Sequence, residues 1–294
     1  MLQGYGIEYQ YQRNVFLGLM YERGDVDIED GKVTRNSVSS SLRYESEILQ
    51  SKHKIEYGKD SGARSLSSWG LINNIKWKPT PEYTLFGEAN YVSLDGDSYT
   101  LKRDDEYLVR NFSGDDRYYE LGLGFGYRPI FNDRLNVISR WSYIYDTNGG
   151  ELVDSPTAYN FKAHIFSLEA IYDITQRLSL GGKYAIRDDR VRLVSGGEWF
   201  NNTINLYSMR LTYEIIYKWD IYAEYHWLES RKTDELQQGA LIGVYRDITE
   251  NMQLGIGYNF SKFDDDLKDL RYKNGGSDLD YDNRGWFINL IGKF

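Results

Sequence analysis

Apolar and polar residues alternate along most of this chain with a period of two. In residues 2–11, for example, Tyr5, Ile7 and Tyr9 lie on one face of an extended segment, whereas Glu8 and Gln10 lie on the other. Because successive side chains of a β-strand point to opposite faces, this alternation predicts strands with one apolar and one polar face. About fifteen such segments occur, and helical periodicity is almost absent. The predicted strands cover residues 2–11, 15–22, 35–45, 49–58, 66–78, 82–92, 118–128, 134–145, 159–172, 177–187, 202–217, 220–229, 236–246, 251–262 and 284–294.

The two clearest apolar faces begin and end on tyrosine. They consist of Tyr119, Leu121, Leu123, Phe125 and Tyr127, and of Tyr207, Met209, Leu211, Tyr213, Ile215 and Tyr217. About eight to ten residues at ~3.3 Å each, in a strand tilted by about 40°, separate the flanking tyrosines by roughly 20–25 Å along a membrane normal. This span is close to the apolar band of a transmembrane barrel. A soluble sandwich or propeller is the alternative, but it gives no reason for faces that end repeatedly on tyrosine.

The last strand carries the most specific signal. In Trp286-Phe-Ile-Asn-Leu-Ile-Gly-Lys-Phe294, the residues Trp286, Ile288, Leu290 and Phe294 share one face. A final strand that ends on an aromatic residue resembles the closing strand of a Gram-negative outer-membrane β-barrel. The resemblance implies an outer-membrane location and recognition of this strand by the barrel assembly machinery. It also implies contact with outer-membrane lipids and lipopolysaccharide.

The connections between predicted strands alternate in length. Short ones lie at 12–14, 46–48, 79–81, 129–133, 173–176, 218–219 and 247–250, and long, charged ones lie at 23–34, 59–65, 93–117, 146–158, 188–201, 230–235 and 263–283. Outer-membrane barrels have short periplasmic turns and long extracellular loops. The sequence therefore predicts an all-β fold, a transmembrane antiparallel up-and-down β-barrel of about 14 to 16 strands. We expect residues 1–294 to form this barrel as a single domain.

Strand number and the first residues raise a question about the length of the protein. If Phe294 ends in the periplasm, fifteen strands place Met1 outside, whereas bacterial barrels of one chain usually have an even number of strands. Met1-Leu-Gln-Gly also lacks the basic and apolar regions of an export signal. We therefore expect either a mature form or a barrel from a longer protein.

Composition is compatible with this prediction. The chain has no cysteine, a net charge of −9, 27% charged residues and a mean hydropathy of −0.60, and no stretch approaches the roughly 18 apolar residues of a membrane-spanning helix. A barrel needs no such stretch, because only alternate side chains face lipid. The 27 tyrosines and 7 tryptophans fit the aromatic girdles at the two membrane interfaces. Net acidity argues against nucleic acid as a partner.

Charged residues in the predicted strands indicate the inward face. A charge in hydrocarbon is costly, so these side chains should line water or pair with each other. The set consists of Lys54, Glu56, Lys76, Glu88, Glu120, Arg140, Glu169, Lys183, Arg210, Glu214, Glu224 and His226. They form either a pore wall that filters solutes by charge or a set of ion pairs that rigidifies the barrel. We expect a water-filled lumen at this strand number, with Gly122, Gly124, Gly126, Gly255 and Gly257 leaving local space.

Two functions fit these observations. The first is a porin-like channel for passive diffusion of small hydrophilic solutes, as the resemblance implies for open barrels of this size. The second is a membrane anchor, the C-terminal barrel of a longer surface or secreted protein with little transport of its own. The sequence leaves the solute and the oligomeric state undetermined.

We expect no enzyme, metal or cofactor. Among the three histidines, His164 with nearby Ser167 is the least implausible catalytic pair, and no family motif surrounds it. Neither Cys/His metal spacing nor a phosphate-binding glycine loop occurs. Aspartates cluster at Asp95 and Asp97 and in the segment 264–282, where oxygen ligands could hold Ca²⁺, but the regular spacing of an EF-hand is missing. A solvated acidic loop is the simpler interpretation.

Overall fold

The computed structural model describes residues 2–28, 31–63, 65–96, 99–101, 110–112, 116–147, 159–193, 197–232, 235–265 and 281–292. Every regular element in these ranges is a β-strand. No helix within them is long and apolar enough to cross a membrane. The all-β prediction is therefore confirmed.

Fifteen of the described strands form one sheet, in which strands that follow each other along the chain lie side by side. The strands are β1 (Leu2–Gln12), β2 (Val15–Ile28), β3 (Gly31–Glu45), β4 (Leu49–Gly62), β5 (Leu66–Thr80), β6 (Tyr83–Gly96), β7 (Tyr99–Leu101), β8 (Arg110–Phe112), β9 (Asp116–Tyr127), β10 (Leu135–Asp146), β11 (Tyr159–Asp173), β12 (Leu178–Leu193), β13 (Phe200–Ile216), β14 (Trp219–Ser230), β15 (Glu235–Thr249), β16 (Met252–Asp265) and β17 (Tyr281–Gly292). Strands β7 and β8 pair only with each other, inside the segment predicted as a long connection. This up-and-down antiparallel order is that of a barrel wall.

The chain forms two compact units. The first unit comprises Met1–Phe125, Trp141–His164 and Arg190–Phe200, and the second unit comprises Gly126–Arg140, Ile165–Asp189 and Asn201–Phe294. The assignment of residues 1–294 to a single domain stays a prediction.

In the first unit, strand register brings apolar residues together on one face. Tyr21 of β2 pairs with Val38 of β3, and Val38 pairs with Tyr57 of β4. The ring of Tyr57 lies 4.8 Å from that of Trp69 on β5. These large side chains are exposed, with Val38 at 54% and Trp69 at 51%. A continuous exposed apolar surface of this kind is the surface that an outer-membrane barrel turns to lipid.

The second unit also has an exposed apolar face. Tyr258 of β16 pairs with Trp286 of β17, and Ile256 pairs with Ile288. Trp286 is 75% exposed, Ile288 is 76% exposed and Leu290 is 60% exposed. The predicted apolar face of the last strand is therefore present over its described part. Phe294 lies outside the described residues, and the targeting role of this strand stays a prediction.

The predicted connection at 23–34 is wrong in its length, because β2 and β3 remain paired as far as Ile28 and Gly31. Beyond Tyr21, where the apolar face of β2 ends, polar side chains pair across the hairpin. Thr34 donates to Asp25 at 2.7 Å, and Lys32 lies 3.2 Å from Asp25. The Thr34 hydroxyl and then Lys32 hold the pKa of Asp25 below its usual value. Period-two hydrophobicity could not reveal this extension, because neither face needs to be apolar outside the membrane.

One polar pair interrupts the apolar face of the first unit. His53 of β4 pairs in register with Asn73 of β5 on one side and with Leu42 of β3 on the other. The neighbouring pair on the same face is Ile55 with Leu71. His53 Nδ1 and Asn73 Oδ1 are 2.9 Å apart, and the Asn73 amide donates to the carbonyl of Ala89 at 3.0 Å. The pair therefore satisfies part of its own hydrogen-bonding capacity, which a lipid chain could not do.

Candidate functional site

Strands β11 to β14 bring charged side chains together on the polar face of the second unit. Antiparallel register places Arg210 opposite Glu224 and Ser208 opposite His226. Together with side chains of β11 and β12, they line a cavity of about 250 Å³. The predicted inward residues gathered there are Glu169, Lys183, Arg210, Glu224 and His226.

Arg210 and Glu224 form the best-connected pair of this cluster. Arg210 Nη2 lies 3.1 Å from Glu224 Oε2, and Arg210 Nε donates to the same oxygen at 3.2 Å. Ser208 donates to Glu224 Oε1 at 3.3 Å, and the Tyr222 hydroxyl donates to Oε2. The guanidinium also lies 5.3 Å from the centroid of the Tyr222 ring. Glu224 is thus held by three side chains, whereas Arg210 is still 47% exposed.

Lys183 and Glu169 form a looser pair beside it. Their charged atoms are 3.9 Å apart, and the two side chains are 43% and 37% exposed. His226 lies over Gly239 of β15, where a Cβ atom would collide with the imidazole. The cavity is therefore lined by both positively and negatively charged side chains, and neither sign of charge dominates.

The polar face of the first unit carries the predicted residues Lys54, Lys76, Glu88 and Glu120 in separate contacts. Lys54 forms a 2.6 Å ion pair with Glu56. Lys76 and Glu88 line a cavity of about 350 Å³. Glu120 accepts hydrogen bonds from Asn90 at 3.2 Å and from Tyr118 at 3.1 Å. These residues do not converge on one point within the unit.

Arg140 and Glu214 stand apart from the charged cluster of the second unit. Glu214 pairs in register with Asp220 near the short turn between β13 and β14. Arg140 is an exposed residue of β10. Neither lines the 250 Å³ cavity. The pore-lining role of all these residues stays a prediction.

Several charged residues of the polar face were missed by the sequence prediction. Arg43 forms ion pairs with Glu8 at 2.8 Å and with Glu45 at 2.9 Å. Arg35 lies 3.6 Å from Asp60, whose side chain is only 2% exposed. Alternation could have found Arg35 and Arg43, because both have the parity opposite to Val38 and Leu42. The serines between them weaken the contrast between the two faces of β3.

The prediction that glycines leave open space on the polar face is wrong at the positions where contacts are resolved. A Cβ atom at Gly122 would meet Glu88, and one at Gly124 would meet the ring of Phe86. The corresponding contacts of Gly255 and Gly257 are with Tyr245 and Phe287, respectively. A large side chain of the neighbouring strand covers each glycine, so these residues permit dense packing of the wall.

His164 and Ser167 do not form a catalytic pair. They are three residues apart in β11, so their side chains point to opposite faces. The His164 ring packs against Trp141 at 6.0 Å and Tyr143 at 4.8 Å. Among the described residues, no group of three potential metal ligands occurs. Asp97 and most of the acidic segment 264–282 lie outside those residues.

The fold and its two faces define an outer-membrane β-barrel protein. The family model described as Gram-negative porin matches residues 83–266, which is more than half of the chain. The chain belongs to this family and is located in the cell outer membrane. No curated protein sequence matches it.

Solved structures share the fold at very low sequence identity. The alcaligin outer-membrane receptor FauA of Bordetella pertussis has a TM-score of 0.66 at 11% identity, covering 99% of this chain and 56% of that one. The ferric-catecholate import receptor Fiu of E. coli K12 has a TM-score of 0.63 at 9% identity, covering 99% and 60%. The outer-membrane channel DcaP of Acinetobacter baumannii has a TM-score of 0.50 at 11% identity, covering 97% and 99%. This chain thus spans 60% or less of the length of those two receptors.

Proposed function

We propose that this protein is a porin-like channel through which small hydrophilic solutes diffuse passively across the outer membrane. In this proposal, the apolar face meets lipid and the polar face lines a water-filled lumen. The observation that carries it is the division of most side chains between two faces, with the large apolar residues exposed on one face and most ionic and hydrogen-bonded groups on the other face of a porin-family sheet. Membership of the Gram-negative porin family supports the same function.

The proposed lumen wall has mixed charge. The Arg210–Glu224 and Lys183–Glu169 pairs remain partly exposed, so each pair presents a local dipole to passing solutes. A wall of this kind filters by local charge and by size instead of acting as a uniformly cationic or anionic pore. The proposal includes no enzymatic step. Its other partners are outer-membrane lipids, lipopolysaccharide and the barrel assembly machinery.

The odd number of described strands in the sheet fits a membrane anchor, but this alternative is not better supported than the channel, which the porin family model favours. A solute channel and an anchor differ in what the lumen transmits. Purified protein inserted into planar lipid bilayers should produce stable conductance steps, and vesicles containing it should swell in isotonic solutions of small sugars. Correctly folded protein that conducts no ions and admits no sugar would contradict the channel and leave the anchor.

A further inference from the structure

Two cationic side chains of the first unit share one aromatic ring. Lys162 Nζ lies 4.5 Å from the ring centroid of Trp199, and Arg192 Cζ lies 4.7 Å from the same centroid. Lys162 Nζ also lies 5.3 Å from the centroid of Tyr145. Both positive charges therefore lie within 5 Å of the Trp199 ring, and no carboxylate in the described part of the chain forms an ion pair with them.

The hydrogen bonding of Arg192 is incomplete as well. With its amide oriented to satisfy both neighbours, Asn160 accepts from Arg192 Nη2 at 3.3 Å and donates to the carbonyl of Thr147 at 2.7 Å. Arg192 Nε is buried and has no hydrogen-bond partner. Arg192 thus makes one hydrogen bond through Nη2 beside its contact with the Trp199 ring, and a phosphate matches the fork geometry of a guanidinium.

Lys162 also borders a cleft of about 620 Å³, which is lined mainly by apolar and aromatic residues together with Asn90 and Glu120. Leu71 and Leu121 line the cleft, and both are exposed on the apolar face. A row of tyrosines crosses it, with ring centroids 4.9 Å apart for Tyr91 and Tyr119 and 5.9 Å apart for Tyr119 and Tyr145. The site therefore joins two cations to an apolar trough on the face that meets lipid.

The position of the site selects one membrane leaflet. Lys162 lies near the start of β11, Arg192 lies near the end of β12, and Trp199 directly precedes β13. All three lie at or next to the strand ends that border the connections 147–158 and 194–199. These connections are extracellular in the orientation of outer-membrane barrels, so the cations lie at the level of the outer-leaflet headgroups.

We propose that this cleft binds a phosphorylated glycolipid of the outer leaflet, with a phosphate beside Lys162 and Arg192 and an acyl chain along Leu71 and Leu121. The inference rests on the proposed function only for the orientation of the barrel. The proposed ligand combines a charged headgroup for the two cations with an acyl chain for the apolar residues, and neither part alone would match the whole site.

Native mass spectrometry of the folded, detergent-solubilised protein can test this site with bis-phosphorylated lipid A as the probe. Each cation near a membrane surface contributes about 1 kcal/mol, which corresponds to about fivefold in affinity. The dissociation constant should therefore rise about fivefold in Lys162→Gln or Arg192→Gln and about 30-fold in the double variant. Unchanged binding by the double variant would overturn the proposal.

The chain offers a matched control at the opposite end of the strands. Arg246 of β15 lies 5.2 Å from the centroid of Trp219 of β14, beside the short turns. Arg246→Gln removes the same kind of arginine–tryptophan contact and should leave lipid A binding unchanged. An equal loss in this variant would mean that binding depends on overall charge, which contradicts a specific site. Far-UV circular dichroism checks that each variant retains its β-structure.

Further controls distinguish a lipid site from a site for free phosphate. They also distinguish the proposed lipid site from the proposed channel. Dephosphorylated lipid A should bind the wild type about as weakly as bis-phosphorylated lipid A binds the double variant. Inorganic phosphate at millimolar concentration should not displace the lipid, and displacement would identify a site for the free ion instead. Conductance is recorded separately. Absent lipid binding with normal conductance would contradict the lipid site alone. Absent conductance with normal lipid binding would contradict the channel alone.

Discussion

Neutralising Arg210 should shift the ion selectivity of the channel towards cations. The Arg210 side chain is 47% exposed and pairs with Glu224 at 3.1 Å, so the Arg210→Gln substitution leaves the Glu224 carboxylate uncompensated beside the lumen. An ion passing about 4 Å from a unit charge in water gains or loses about 1 kcal/mol, a factor of about 5. Screening at 0.1 M salt weakens this effect. We therefore expect the K⁺/Cl⁻ permeability ratio to rise about two- to fivefold.

The reversal potential across a planar bilayer with a KCl gradient measures this ratio. Lys183→Gln should shift it in the same direction, because Lys183 shares the cavity and is 43% exposed. Arg246→Gln is the matched control, since it removes an arginine that stacks on Trp219 next to the short turns. Raising the salt to 1 M should suppress the difference between Arg210→Gln and wild type. The reasoning fails if Arg210→Gln shifts the reversal potential no more than Arg246→Gln.

Two predictions concern stability, and both are measured by reversible urea unfolding in lipid vesicles. Asn73→Ala should lower the free energy of unfolding by about 1–3 kcal/mol, because His53 loses its partner on the lipid-facing side, whereas His53→Leu combined with Asn73→Leu should be nearly neutral. A double variant as unstable as Asn73→Ala would refute this. Gly124→Ala should cost about 1–3 kcal/mol by overpacking against Phe86, and combining it with Phe86→Ala should give less than the additive loss. Additive losses would contradict the contact.

The strands of this protein were predictable because the membrane imposes a pattern on the sequence. In Tyr207 to Tyr217, hydrocarbon on one side and polar groups on the other require alternation, and β13 is observed at Phe200–Ile216. The beginning of β11 at Tyr159 was also predicted, whereas β2 continues six residues beyond the predicted end at Glu22. That extension is stabilised by polar pairs such as Thr34 with Asp25. Hydrophobic periodicity carries no signal for it.

The candidate site was predictable in its residue types but not in its pairing. Alternation placed Arg210 and Glu224 on the same face, but their contact depends on the register between β13 and β14, which follows from the turn at Lys218, a residue with φ of 67°. The glycine contacts were missed for a related reason. The sequence shows only that Gly124 has no side chain. The structure is needed to show that Phe86 of a neighbouring strand covers it.

Water accessibility along β13 tests the central claim most directly. These 294 residues contain no cysteine, so single cysteines can be introduced at Ser208 and Thr212 on the polar face and at Met209 and Leu211 on the apolar face. A charged, membrane-impermeant thiol reagent should label the first two positions in folded protein in vesicles and leave the other two unlabelled. Equal labelling at all four positions, or faster labelling at Met209 and Leu211, would contradict an apolar face in lipid and a polar face in water.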